Sequence, residues 1–265
     1  LKSLLLFGKG SYDYKDILVD NKNFVPTYQS VNSLHPLLTY SSDDFFGFME
    51  DHEGEWRESP VDQHTMEIGV GRIPVKSFTE AKNVVDKIIG YDTDSKLFHR
   101  WRKNIVFVAD DGDFNIHQNQ ADQMARNIDL NHALYDIKKI YLDAFPQLPG
   151  AGGQVSPEAK KEIEKAFSDG ALVINYTGHG SERQWAQERI FDEVQIQNLK
   201  NERLPLLVTA TCEFGRQDDP VFPSGGELCL LQPKGGAIGL VTTARPVSSS
   251  TNFELNQAFY QAFFE

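Results

Sequence analysis

ALVINYTGHG, residues 171–180, and LPLLVTATCEFG, residues 204–215, read as two apolar strands that each end on a reactive side chain. His179 stands between Gly178 and Gly180 just past the first run, and Cys212 closes the second. In an open α/β sheet, ligands bind in the crevice beyond the carboxyl ends of the strands. If the two strands are neighbours, imidazole and thiol therefore face the same crevice. A thiol attacks as thiolate, and an imidazole that takes its proton supplies the activation. Gly180 and Cys212 each also offer a backbone N–H to a developing oxyanion, and the missing side chain at Gly180 lets a substrate approach closely. The pattern reads as a cysteine hydrolase with Cys212 as nucleophile and His179 as general base.

The flanking sequence gives this pair its sheet. From Asn104 onward strand-like and helix-like segments alternate, the signature of parallel βαβ units. NIVFVADDGD ends a strand in carboxylates, and HQNQADQMARNIDL follows as a helix with Ala121, Met124, Ala125 and Ile128 inward. IKKIYLD is the next strand. SPEAKKEIEKAFSDG is a helix with Ser156 at the N-cap, Pro157 at its first position and Gly170 closing it. After DEVQIQNL, a short helix, and the Cys212 strand come a helix at GGELCLLQ, a strand at GGAIGLVTTA and a last helix at TNFELNQAFYQAFFE. The expectation is about five strands, with those ending near Asp110, His179 and Cys212 carrying polar groups at one edge. A catalytic imidazole needs a partner on its other nitrogen, and Asp110, Asp111 and Asp113 are the candidates. His117 reads as a helix-start residue, and the seven histidines are too dispersed to suggest a zinc site.

Residues 1–95 read as an N-terminal lobe and 96–265 as the catalytic lobe. LKSLLLFG is expected as a buried strand, and MEIGVGRIPV as a strand and turn. Ser77 and Glu80 form a capping box for a helix with Ala81, Val84, Val85, Ile88 and Ile89 on one face. Between them lies an irregular acidic stretch punctuated by Pro36, Gly47 and Gly54. Its Asp43, Asp44, Glu50, Asp51, His52, Glu53 and Glu55 make a solvated loop first and a structural calcium site second, since the spacing lacks the EF-hand pattern.

Composition narrows the function classes. A net charge of −12 with no basic run argues against a nucleic-acid footprint. No apolar run approaches the roughly 20 residues needed to span a bilayer as a helix. LKSLLLFGKG reads as a strand rather than a cleavable leader, and AFYQAFFE carries no stop signal, so the chain is expected to be part of a longer protein. Two cysteines cannot make a disulfide framework for a domain of this size. Cys229, at helical spacing in GGELCLLQ, reads as a buried small hydrophobe.

YTGHGSERQW followed by TATCEFG, and the earlier stretch IGVGRIPVKSFTEAKNVVDKIIGYD, resemble the gingipain family of cysteine peptidases, family C25. Within it the resemblance is nearest to the surface peptidases of the type IX secretion system of Bacteroidetes. It implies a caspase-like α/β fold, an open and mostly parallel sheet sandwiched by helices, in two lobes. It also implies an acid beside the histidine at about Asp111, an oxyanion hole from Gly180 and Cys212, and no required cofactor. Trp185, in the GHGSExxW pattern, is expected either to wall the cleft or to pack as a core tryptophan. Glu213, Phe114 and Asn115 are the other expected substrate contacts, and the loop Ala244–Ser249 the far wall. GDFNIH holds Phe114 or Asn115 where arginine-specific relatives carry an acid, and a buried arginine without a paired carboxylate is costly. No strong arginine preference is therefore expected. The implied role is removal of the C-terminal signal domain from secreted cargo, with transfer of the acyl group to lipopolysaccharide in the manner of a sortase. The implied partners are cargo C-terminal domains and the outer-membrane components PorV, PorQ and PorZ, at the cell surface. A secreted protease of broad specificity and a catalytically silent caspase-like assembly domain are the alternatives.

Overall fold

The computed structural model describes residues 2–18, 20–30, 41–54 and 64–264. Pro36 and Glu55 lie outside the described residues. The central sheet has five parallel strands: β3 (Asn104–Ala109), β4 (Asp136–Tyr141), β5 (Val173–Thr177), β6 (Leu206–Ala210) and β7 (Gly239–Val241), in the order β7-β6-β5-β3-β4. Two strands near the N-terminus, β1 (Ser3–Phe7) and β2 (Gly69–Ile73), form a separate parallel pair.

The five strands are rich in apolar and β-branched residues because both faces of the sheet are covered, as parallel crossovers require. Along β3 the side chains alternate: Ile105, Phe107 and Ala109 turn to one face, Val106 and Val108 to the other. The first face packs on α2 (Gly112–Asn131) through Ala121, Met124, Ala125 and Ile128, all inward as the periodicity predicts, and on Tyr260 of α6 (Ser249–Phe264). The second packs on α3 (Pro157–Asp169) through Ala159, Ile163, Ala166 and Phe167. Ile196 of α4 (Glu193–Asn198) and Cys229 of α5 (Gly225–Leu231) join that second core. One polar residue sits at the centre of the sheet, Asn175, and its amide donates to Asn256 of α6 at 2.9 Å.

The chain runs from β3 outward to β4, then crosses back to lay β5 on the other side of β3. The direction of winding therefore reverses between β3 and β5. Their carboxyl ends flank the crevice where such folds bind ligands.

The N-terminal elements depart from expectation in two places. β1 was expected to be buried, yet only Leu6 is; Leu5 and Phe7 are exposed, because a two-stranded pair has few neighbours to cover a second face. On α1 (Phe78–Thr93), Val84 is buried but Val85 and Ile89 are not. The helix meets α5 along a stripe that includes Lys87, whose ammonium donates to the carbonyls of Leu230 (2.5 Å) and Gln232 (3.3 Å) at the C-terminal end of α5. Burial lowers that lysine's pKa to about 8. Among the described acidic loop residues, Asp43 is already held by two bonds from Arg72, at 2.6 and 2.7 Å, and no set of the others converges on a metal position. No helix among the described residues is long and apolar enough to cross a membrane.

Candidate active site

Three strand ends build the site. Asp110 follows β3, and its buried carboxylate accepts the backbone N–H of His179 at 3.0 Å and that of Gly112 at 3.4 Å. The two loops come so close that a Cβ on Gly178 would stand 2.3 Å from the Cβ of Asp110, so only glycine fits there. The backbone of His179 is then pinned from below: its carbonyl accepts the Tyr176 hydroxyl and the Ala186 N–H. The imidazole is left half-exposed at the crevice.

Cys212 follows β6, the direct neighbour of β5, so thiol and imidazole share one cleft of about 200 Å³, lined also by Asp113, His117, Thr211 and Val247. The thiol is held by the loop expected to form the far wall: Sγ accepts from Val247 N at 3.5 Å and lies 3.8 Å from Val247 O. That loop is fixed by Arg245, whose guanidinium grips buried Asp218 at 2.9 and 2.5 Å. Burial pushes the Asp218 carboxyl up, but the bonds and charge of Arg245 outweigh it and hold the pKa below the ordinary value.

The backbone N–H groups of Gly180 and Cys212, the expected oxyanion donors, are not used by the neighbouring backbone bonds. The hairpin that ties Gly180 to Trp185 is closed by the N–H groups of Ser181 and Ala186, not by that of Gly180. On the other loop, Glu213 N donates to Arg245 O and Gly215 N to Thr243 O, and Cys212 N takes part in neither bond. A Cβ on Gly180 would meet the Thr211 hydroxyl at 2.4 Å, so this position too demands glycine.

The acid on His179 is Asp113, not Asp111. Asp113 Oδ2 lies 3.0 Å from His179 Nε2, whereas the Asp111 carboxylate accepts from Gln147. The reason is local. Residues Asp113, Phe114 and Asn115 wind left-handed, with φ of 53°, 56° and 63°, before the regular part of α2 begins. Such a turn is costly for side-chain-bearing residues, and it swings the third carboxylate back over the crevice. It also carries Phe114 out to full exposure and turns Asn115 to bond Asp143 at 2.6 Å.

Neither Phe114 nor Asn115 lines the cleft. Trp185 does not wall it either: the indole is fully buried, stacked on Tyr176 at 4.6 Å and packed against Phe191 and Phe214. The GHGSExxW spacing marks a core anchor beneath the histidine loop. Glu213 adopts φ 57° and lies 3.5 Å from Arg216, away from the cleft lining. Its carboxyl is pushed up by burial and by Glu182.

Of the site residues, His117 was not foreseen in its place, and Asp113 was only one of three candidate acids. His117 is buried and meets the His179 ring edge-on, with centroids 5.0 Å apart. Asp113 stands four residues before it, and that i, i+4 spacing was the one signal that the two share a side of the helix start.

A sequence profile of peptidase family C25 matches residues 1–265. Gingipain R2 of Porphyromonas gingivalis is 27% identical over 161 residues, 57% of this chain and 20% of the relative; gingipain R1 of the same organism matches at the same identity over 14% of its length. The chain thus spans a fifth or less of these curated relatives. The crystal structure of the arginine-specific cysteine proteinase gingipain R superposes with a TM-score of 0.69 at 21% identity, over 97% of this chain and 52% of that one. A complex of the pro- and mature domains of the Porphyromonas gingivalis protein gives 0.67 at 22% identity, over 96% and 52%. At such identities the structural likeness speaks for the fold, which is the caspase-like sandwich expected.

Proposed function

This chain belongs to peptidase family C25, the gingipain-like cysteine peptidases, and from that premise we propose that it is a cysteine endopeptidase of the PorU type. The observation that carries the reading is the convergence of Cys212 and His179 in one cleft at adjacent strand ends. His179 takes the thiol proton and Asp113 steadies the resulting imidazolium. The Cys212 thiolate adds to the scissile carbonyl, and the N–H groups of Gly180 and Cys212 receive the oxyanion. As the tetrahedral intermediate collapses, the leaving amine departs with the proton from His179 and a thioester remains. Water or a second amine resolves it by the same route in reverse.

The substrate class is the junction before the C-terminal signal domain of secreted cargo, with an amino group on surface lipopolysaccharide as acceptor, at the outer face of the outer membrane. PorV, PorQ and PorZ are the partners this reading assigns. Small or polar residues are favoured at the cleavage site, because the one acid that lines the cleft among the described residues, Asp113, is engaged by His179. The gingipain matches are compatible with a second reading, a secreted protease of broad specificity acting by hydrolysis alone.

Incubating the protein with a cargo carrying its C-terminal domain, with and without an amine-bearing glycan, separates the two by mass spectrometry. The first reading expects a single cut before the domain and an amide adduct in the presence of the acceptor. Cuts scattered through the cargo, with no adduct, sink it in favour of the second.

A further inference from the structure

The turn that delivers Asp113 also closes a ring of ligand atoms around the imidazole of His179. One carboxylate oxygen of Asp110, one ring nitrogen of His117 and one of His179 all lie within 4.8 Å of one another. His117 Nε2 is buried and has no hydrogen-bond partner; the nearest acid, Asp113, is 3.6 Å away. A buried ring nitrogen left without a partner is unfavourable, so its position asks for a ligand. Asp113 touches both rings, at 3.0 Å to His179 and 3.6 Å to His117.

We propose that Asp110, His117 and His179 bind a divalent transition-metal ion of the zinc class, and that its occupation switches the cysteine peptidase off. Two imidazoles and a carboxylate are a donor set that zinc accepts, whereas calcium and magnesium take oxygen ligands. Four-coordinate zinc with bonds of about 2.1 Å holds its ligand atoms roughly 3.4 Å apart. The His179 ring is half-exposed, and the Asp113 carboxylate, 3.0 Å from its Nε2, is the acceptor that orients it.

The inhibitory half of the proposal rests on His179 being the general base: a lone pair given to a metal is not available for the thiol proton. This device differs from capture of zinc by a thiolate, since Cys212 is not one of the three ligands.

The test uses Cys212→Ala protein, so that neither peptidase activity nor a thiolate enters the readout. Zinc chloride is titrated against a chromophoric chelator, and imidazole signals are followed by long-range ¹H–¹⁵N correlation. One equivalent bound, with both His117 and His179 perturbed, is the expected result. Cobalt substitution gives visible ligand-field bands without a thiolate charge-transfer band. His117→Gln in the same background weakens binding by about tenfold or more. Zinc binding that vanishes with Cys212→Ala, or that leaves the His117 ring unperturbed, overturns the proposal. The wild-type protein is read separately: cleavage by the zinc-free form that stops when one equivalent of zinc binds is expected, cleavage unchanged by zinc bound at this site overturns the switch, and a zinc-free form that cleaves no peptide refutes the peptidase reading and leaves the metal site standing.

Discussion

At the scale of single residues, the strand-end places of Cys212 and His179 were legible because each closes an apolar run, and a strand end is a position that periodicity reveals. The acid was not. Choosing among Asp110, Asp111 and Asp113 depends on a left-handed turn through three residues that all carry side chains, and no local propensity predicts such a turn. Asp110 goes to the backbone of His179, Asp111 to Gln147 and Asp113 to the imidazole. Asp113→Asn is therefore expected to lower kcat/KM by about ten- to a hundredfold, less than a fully buried orienting acid would because Asp113 is exposed to water. Asp111→Asn should change it by less than about threefold, as expected of a carboxylate that does not touch the imidazole. Steady-state kinetics on one peptide decide it, and equal losses in the two variants would return the role to Asp111.

At the scale of elements, the helices and strands of the central sandwich were readable and the short pieces between them were not. Ser77 does cap α1 by accepting from Glu80 N at 3.2 Å, but the Glu80 carboxylate reaches the Lys76 N–H instead of closing the box. Ser156 stands at the head of α3, yet its hydroxyl donates to Pro146 O. The spacing of Trp185 left cleft wall and core both open, because a pattern carries no burial; the hairpin Gln184–Trp185 with Phe191–Asp192 folds it into the core. Trp185→Ala is expected to destabilise the protein by about 3–5 kcal/mol, read as a fall in the denaturation midpoint. A variant of unchanged stability with altered substrate preference would restore the cleft assignment. The loop that holds the thiol has a pH limit. The Asp218 carboxyl titrates below its ordinary value near 4, so the Arg245 pair contributes fully above that pH and is lost as pH falls through the depressed value. Arg245→Met should remove much of the acid sensitivity of stability below about pH 4. An unaltered acid limb in that variant would place the sensitive group elsewhere.

At the scale of the whole molecule, segments distant in sequence are joined by buried polar contacts that periodicity does not report. Lys9, just after β1, reaches Glu227 on α5 at 2.5 Å with both side chains buried, and also donates to Gln217 O. Tyr12 N donates to Asp218 O, and Gln29 bonds the Asp218 side chain, so the N-terminal segment braces the platform that carries Arg245 and the thiol loop. Breaking a buried ion pair at one partner strands the other, and Lys9→Met is expected to cost about 3–5 kcal/mol. Chemical denaturation of the variant checks this; a loss below about 1 kcal/mol would mark the pair as dispensable. Across the molecule the central claim is that Cys212 and His179 act as one catalytic unit. Its most direct test is cleavage of a fluorogenic peptide panel by the wild-type chain beside Cys212→Ala and His179→Ala, each confirmed folded. The account predicts turnover in the wild type, abolished in both variants, with small or polar residues preferred at the cleavage site. Turnover that survives either substitution would contradict it.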